Sequence, residues 1–144
     1  MLLLVMSDFH LGKGKFLKNG QKNILEDFFE DDKFIELVEF YSSGKFEDEK
    51  VNLVLNGDIL NLIQIDVDGV FTHIMDENYC MRALELIHKG HRLFFASLKK
   101  FLEKPNKKLT YIIGNHDAAM AFEGCQELFK EFVGGDVDFA LERV

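Results

Sequence analysis

The chain has 144 residues, of which 47% are hydrophobic and 29% are charged. These values are those of one globular domain, and they exclude a disordered chain, a collagen-like chain and a disulfide scaffold. The formal net charge is −8, from 25 acidic and 17 basic residues, which argues against nucleic acid or an anionic membrane as a partner.

Three short apolar runs predict three β-strands. They comprise residues 2–6, 51–55 and 109–113, and each is nearly continuous in Leu, Val, Ile or Tyr. Such runs are typical of parallel strands that are covered on both faces of a sheet. Residues 137–144 alternate between apolar and polar side chains and predict the start of a further strand.

Apolar residues at helical spacing predict a helix after each of these three strands. The first helix begins at Asp31 and ends before Gly44, a residue type that commonly ends helices. The second begins after an N-cap at Asp76, bends at Gly90 and ends at Pro105. The alternation of strands and helices predicts an α/β fold, a βαβ unit with a parallel sheet, in one domain over residues 1–144.

Each predicted strand is followed directly by side chains that can bind a metal ion or transfer a proton. They are Asp8 and His10 after the first strand, Asp58 after the second, and Asn115, His116 and Asp117 after the third. The carboxyl ends of parallel strands meet at one edge of a sheet, so we expect these side chains to lie together there. Any one cluster alone is equally well explained as a turn, but three at successive strand ends indicate a site.

The residue types indicate a metal site. Asp8 and His10 are two residues apart, so both point to the same side if the chain leaves the strand in an extended conformation. One oxygen and one nitrogen ligand suit a divalent ion such as manganese, iron or zinc. Asp58 adds a carboxylate that can bridge two ions, and Asn115 adds an amide oxygen.

The histidine of the third cluster has the chemistry of an acid catalyst. His116 could act as a general acid, and Asp117 could orient its ring. These two residues are therefore the catalytic candidates.

In these motifs the chain resembles the calcineurin-like metallophosphoesterases. Their signature is Asp-x-His, then Gly-Asp followed shortly by an acid or an amide, then Gly-Asn-His with Asp or Glu. Here the three parts are residues 8–10, 57–61 and 114–117. The resemblance implies a four-layer αββα sandwich and metal-dependent hydrolysis of a phosphoester at two divalent metal ions.

The resemblance also implies a role for each residue. Asp8, His10 and Asp58 would hold the first ion. Asp58 would bridge to a second ion that Asn115 also binds. His116 would act on the phosphoryl group.

One part of the family signature is missing. The signature continues with a further His and a Gly-His-x-His, whereas this sequence has no histidine after His116. We therefore expect the N-terminal half of the sandwich, truncated at its C-terminal end, with weak activity and at most one ion. Manganese is expected, with iron, zinc or nickel as alternatives. Apolar surface left uncovered would favour self-association.

Residues that would contact substrate are predicted beside the edge of the sheet where the strand ends meet. The segment between residues 64 and 79 could overhang the strand ends as a lid, or it could be ordinary surface. The candidate substrate-binding residues are Asn61, His73 and Arg82.

The substrate prediction follows from the resemblance. The motifs look most similar to bacterial members related to UDP-2,3-diacylglucosamine hydrolases, many of which carry Arg where His116 stands. A phosphorylated small molecule or a nucleotide-linked substrate is expected. A non-catalytic scaffold on the same fold is the alternative.

Four other features receive structural interpretations. His91 lies on the apolar stripe of the long helix and is predicted to be packed, whereas His88 is predicted to be solvated. Residues 66–69 are predicted to form a turn and not a calcium loop. Lys13 and Lys15 form a short basic loop that could meet a substrate phosphate.

The cysteines and the apolar start of the chain bear on its location. The two cysteines have neither the number nor the spacing of a disulfide framework. The apolar run at the N-terminus is too short for a signal peptide, and no stretch approaches the ~18 apolar residues of a membrane span. The sequence therefore predicts a cytoplasmic protein without a membrane span.

Overall fold

A computed structural model describes residues 1–141. Within them, four strands form one parallel sheet in the order β1-β2-β3-β4. The strands are β1 Leu2–Met6, β2 Val51–Asn56, β3 Lys107–Ile112 and β4 Asp138–Ala140. The α-helices are α1 Asp31–Phe40, α2 Glu77–Gly90, α3 Arg92–Leu102 and α4 Glu123–Val133. Short 3-10 turns span Gly44–Phe46, Leu62–Gln64 and Ala118–Ala121.

The parallel α/β architecture predicted from the sequence is confirmed. β1 has the predicted bounds, and β2 and β3 differ from the prediction by one or two residues at an end. The further strand predicted at residues 137–144 is present as β4, and residues 142–144 lie outside the described part of the chain.

The long helix predicted between Asp76 and Pro105 is in fact two helices, α2 and α3. The Asp76 side chain caps α2 as predicted, accepting a hydrogen bond from the Tyr79 N–H at 2.7 Å. α2 ends at Gly90, and only glycine fits there because a Cβ would lie only 2.1 Å from the carbonyl oxygen of Lys13. His91 then adopts a non-helical conformation, with φ −132° and ψ 43°, before α3 begins.

The core lies on one face of the sheet. Buried strand residues on this face belong to the same hydrophobic cluster as residues of all four helices. They are Val51, Leu53, Leu55, Leu109 and Tyr111. On the opposite face of β1, Leu3 and Val5 are each 55% exposed. The expectation that the strands are covered on both faces is therefore not met within the described residues.

Two further expectations concern the cysteines and the membrane. Cys80 and Cys125 are both buried free thiols, and burial raises their pKa values to about 11 and about 12. Between residues 1 and 141, the structure contains no helix with the length and apolar character needed to cross a bilayer.

Candidate metal centre

Backbone hydrogen bonds join the chain segments that leave β1 and β2. The Asp8 N–H donates to the Gly57 carbonyl at 3.1 Å, and the His10 N–H donates to the Asp58 carbonyl at 3.0 Å. These bonds bring together ligand atoms of Asp8, His10 and Asp58, which all lie within 4.8 Å of one another. Between the first two of these residues, Asp8 Oδ1 and His10 Nε2 are 3.8 Å apart. The expected cluster at the edge of the sheet is thus present for these three residues.

All three residues of this cluster have left-handed backbone conformations. Their φ angles are 59° at Asp8, 52° at His10 and 54° at Asp58. This conformation costs a non-glycine residue about 1 kcal/mol or more, and it persists only where the surrounding structure enforces it. The extended exit assumed from the sequence is therefore wrong, although the side chains do converge.

Phe9 anchors the segment between the first two candidate ligands. Its ring stacks on Phe28 at 5.0 Å and meets the edge of Phe34 at 5.7 Å, and it packs against the core. The partly buried ring holds the middle of the Asp8–His10 segment, while the Asp8 side chain on one side of it remains 63% exposed.

Asp58 and Asn115 form the part of the site nearest β3. The Asp58 Oδ1 atom accepts a hydrogen bond from the His116 N–H at 2.9 Å, and the carboxylate is nearly buried. With its amide oriented to satisfy its neighbours, the Asn115 NH2 group donates to Oδ1 of Asp58 at 3.2 Å and to Oδ2 at 3.1 Å.

The donor set of this cluster fits a cation. The two carboxylates of Asp8 and Asp58 and the imidazole of His10 suit a divalent ion such as manganese, iron or zinc.

The His116 ring lies beside His10 and is oriented by Asn61. The two imidazole rings meet edge to face with centroids 4.5 Å apart. His116 Nδ1 is 3.2 Å from Asn61 Oδ1, and the Asn61 amide nitrogen donates to Gln64 at 2.9 Å. Since Gln64 fixes the amide, Asn61 presents its oxygen to the ring, and His116 donates through Nδ1. Asn61 was predicted to contact substrate, but here it holds the catalytic candidate.

Asp117 does not orient the His116 ring as the sequence suggested. Its carboxylate is completely buried and accepts hydrogen bonds from Ile59 N at 2.9 Å, Gly114 N at 2.7 Å and the Tyr111 hydroxyl at 2.5 Å. Burial and the negative charge of Asp117 raise the pKa of Tyr111 well above its usual value, so Tyr111 remains a donor. Asp117 therefore ties the loops after β2 and β3 together.

The remaining substrate candidates lie on the surface. His73 is exposed in the segment before α2. Arg82 is exposed and forms an ion pair with Asp68. Asp68 lies in a turn closed by bridges between Val67 and Val70, which agrees with the turn predicted there.

The loop after His10 is also held by the segment that follows β2. The Lys13 ammonium is 2.5 Å from Asp66 Oδ1, and the hydrogen bond to Lys13 lowers the pKa of Asp66. Lys13 is thus paired within the protein, whereas Lys15 is exposed.

An ionic cluster that the sequence pattern does not predict lies beneath this loop. His91 is packed as predicted, at 3% exposure, but it lies between the carboxylates of Glu26 and Asp31. His88, predicted to be solvated, is only half-exposed, because its ring stacks on Phe132 at 3.9 Å, and this partial burial lowers its pKa.

Comparison with known proteins gives one match. A family model described as calcineurin-like phosphoesterase matches residues 1–141, a range that includes the whole cluster at the edge of the sheet. Searches of curated proteins and of solved structures each found no significant match.

Proposed function

The chain belongs to the calcineurin-like phosphoesterase family, and on that basis we propose that it binds a divalent metal ion and hydrolyses a phosphoester. The proposed ligands are Asp8, His10 and Asp58. The observation that carries this proposal is the convergence of their ligand atoms within 4.8 Å. It is supported by the left-handed backbone at all three residues, since strain of this kind concentrates at functional sites.

A bound divalent ion supplies a Lewis acid for the phosphoryl oxygens and lowers the pKa of a coordinated water. The chain supplies the remaining groups. The His116 N–H donates to Asp58 Oδ1, and this hydrogen bond would hold the carboxylate in place for the ion. Asn61 accepts from His116 Nδ1, so Nε2 is the ring nitrogen that, in the doubly protonated imidazolium, can donate to a phosphoryl oxygen or pass its proton to the leaving group.

We propose at most one tightly bound ion. Among the described residues, a second ion would find only Asp58 and Asn115 as the predicted ligands, and Asn115 is a neutral ligand. Manganese is the proposed metal, and iron, zinc and nickel suit the same mixed oxygen and nitrogen donors.

The proposed substrate is a phosphorylated small molecule or a nucleotide-linked compound. The net charge of −8 disfavours a long polyanion such as nucleic acid. Arg82 already pairs with an anionic side chain, that of Asp68, and a substrate phosphate could replace this partner. His73 is exposed on the segment before α2 that also carries Asp68. The nucleotide-linked alternative is proposed from the resemblance of the motifs to those of UDP-2,3-diacylglucosamine hydrolases, and the His116 position, where many of those enzymes carry Arg, departs from that resemblance.

Metal content tests the proposal. After exposure to Mn2+ and removal of free ion, we expect about one Mn2+ per chain by elemental analysis and slow Mn2+-dependent hydrolysis of bis(p-nitrophenyl) phosphate. Asp58→Ala should abolish both, because it removes the carboxylate at the centre of the ligand set.

Asp32→Ala is the matched control, since it removes an exposed carboxylate in the first turn of α1. It should bind Mn2+ as the unmodified chain does. Equal metal content in all three proteins, or none in any, would contradict the proposed site.

A second proposal concerns the uncovered face of the sheet, and it is the observation that favours a scaffold role. Leu3 and Val5 are exposed there, and the sheet register places them beside Asn52 and Val54 of β2. An apolar sheet face of this kind marks a contact with another protein surface. We propose that it mediates self-association of the chain.

Leu3→Lys should weaken this self-association by about 10-fold or more, because it removes a buried apolar contact of roughly 1.5 kcal/mol and adds a charge. Sedimentation equilibrium over a range of concentrations would measure the change. Lys18→Leu is the control, because it makes the reverse change, from a charged to an apolar side chain, on an exposed loop away from the sheet face. Monomers at all concentrations for the unmodified chain would rule this contact out.

A further inference from the structure

A buried ionic cluster lies beneath the loop that follows His10. It consists of Glu26, His91 and Asp31, and the Glu26 side chain is fully buried. His91 Nε2 is 2.5 Å from Glu26 Oε1, and His91 Nδ1 is 2.8 Å from Asp31 Oδ2. None of the three belongs to the proposed ligand set.

The cluster carries its charges at neutral pH. Burial alone would lower the pKa of His91, but hydrogen bonds to Asp31 and Glu26 and their negative charges raise it to about 9. Burial alone would raise the pKa of Glu26, but hydrogen bonds to His91 and to two backbone amides, with the charge of His91, lower it. His91 therefore donates through both ring nitrogens, and Glu26 is a carboxylate.

Glu26 directs this carboxylate at the backbone of the loop. Its Oε2 accepts from the Gly12 N–H at 2.8 Å, and its Oε1 accepts from the Gly14 N–H at 2.6 Å. The two residues suit this contact because a Cβ at Gly12 would lie 3.0 Å from Oε2, and Gly14 has a φ of 98° that favours glycine.

The end of helix α2 packs against the same loop on its other side. A Cβ at Gly14 would lie 2.8 Å from the Cα of Gly90, so the end of α2 touches the loop backbone directly. His91 follows Gly90 and holds Glu26. The loop is thus fixed by the carboxylate on one side and by the helix end on the other.

The loop backbone held by Glu26 and by the end of α2 is close to a candidate ligand. Gly12 is two residues from His10, and Leu11 between them is fully buried and forms a parallel backbone bridge with Leu60. His10 has the left-handed backbone, which the surrounding structure must enforce. Rigid backbone on both sides of His10 therefore sets where its ring lies.

We propose that Glu26, held by His91, is a positioning residue that fixes the backbone on the C-terminal side of His10 for metal binding. This inference rests on the proposed function, because it assumes that His10 binds an ion. Groups that support metal ligands typically alter metal affinity about 10- to 100-fold when removed, and Glu26 would do so through the loop backbone.

Glu26→Gln provides the test. The substitution keeps the size of the side chain but replaces one acceptor by an NH2 group, which then faces an N–H or the His91 ring. We expect the Kd for Mn2+, measured by calorimetry, to rise about 10- to 100-fold, and the visible spectrum of bound Co2+ to change. Glu26→Asp keeps the charge with a shorter reach and should recover part of the affinity.

Lys107→Met controls for lost stability alone. The Lys107 ammonium is nearly buried and donates to the carbonyls of Phe46, Glu47 and Glu49 at 2.7–3.0 Å, at the opposite end of the sheet. This variant should lower the thermal midpoint of unfolding, as Glu26→Gln does, while leaving the Kd for Mn2+ and the Co2+ spectrum unchanged.

Each outcome decides the matter. An unchanged Kd in Glu26→Gln, or an equal rise in Lys107→Met, would overturn the positioning role while leaving the proposed function intact. Absence of Mn2+ binding by the unmodified chain would overturn the proposed function and this inference with it. If Glu26→Gln does not fold, an unchanged Kd in Glu26→Asp overturns the role, and a raised Kd supports it.

Discussion

Asp117→Asn should lower the free energy of unfolding by about 3 kcal/mol or more. The buried carboxylate accepts hydrogen bonds from backbone amides and a tyrosine hydroxyl, from Asp58 N, Ile59 N, Leu60 N, Gly114 N and Tyr111 Oη. In the asparagine variant an NH2 group faces some of these donors, and each buried donor left unpaired costs about 1–3 kcal/mol. Urea denaturation would measure the loss.

Metal binding should fall in the same variant. Asp117 holds Asp58 N and Gly114 N, so its replacement loosens the segment that carries the Asp58 ligand. Tyr111→Phe is the graded control, because it removes one donor, leaves the carboxylate in place and should cost about 1.5 kcal/mol.

The same experiment separates the two roles considered for Asp117. The sequence suggested that it orients the His116 ring, whereas the structure places it among backbone amides. Unchanged stability with a loss of kcat alone would restore the catalytic interpretation. Loss of stability and of metal affinity together would support the structural one.

The residues at the strand ends could be predicted because they depend on local pattern. β1 is a run of five apolar residues that stops before Asp8, and β2 stops before Asp58. Parallel pairing of adjacent strands then places both exits at one edge. That argument requires only strand positions and direction, which short apolar runs determine well.

Side-chain direction at those exits could not be predicted. Asp117 follows His116 in the sequence, yet its side chain is buried in the interior. The His116 ring is hydrogen-bonded to Asn61 instead. The direction depends on the turn after β3 and on the buried Tyr111 hydroxyl, which donates to Asp117. Neither feature has a local sequence signal.

The ionic cluster beneath the loop was missed for a different reason. Glu26 is 65 residues from His91, and Asp31 is 60 residues from it. Glu26 lies outside any helix or strand, so no periodicity marks it as buried. These charges meet only in the folded chain, where Gly90, the last residue of α2, packs closely on the loop.

The uncovered face of the sheet shows the same limit. All five residues of β1 are apolar, so both faces of the strand are apolar, but the sequence does not indicate what covers each face. Leu2 and Leu4 pack against the helical side, while Leu3 and Val5 are exposed. The pattern was interpreted correctly as a strand and incorrectly as one buried on both faces.

Gly114→Ala should reduce Mn2+-dependent hydrolysis about 100-fold, because a displacement of about 1 Å at a reacting group can cost that much. A Cβ at Gly114 would lie 2.3 Å from Oδ1 and 2.5 Å from the backbone nitrogen of Asp58. Since one of these contacts is backbone, no side-chain rotation relieves the overlap. Asp58 must move, and it would lose the hydrogen bond from His116 N at 2.9 Å.

Gly135→Ala is the matched control for this substitution. Its added Cβ would meet only the Leu102 side chain, at 3.2–3.8 Å, which can adjust without moving the backbone. Calorimetry with Mn2+ and the hydrolysis assay should therefore show normal binding and activity in Gly135→Ala and a loss of both in Gly114→Ala. Because the overlap falls on Asp58 itself, normal Mn2+ affinity in a folded Gly114→Ala protein would mean that Asp58 does not hold the ion.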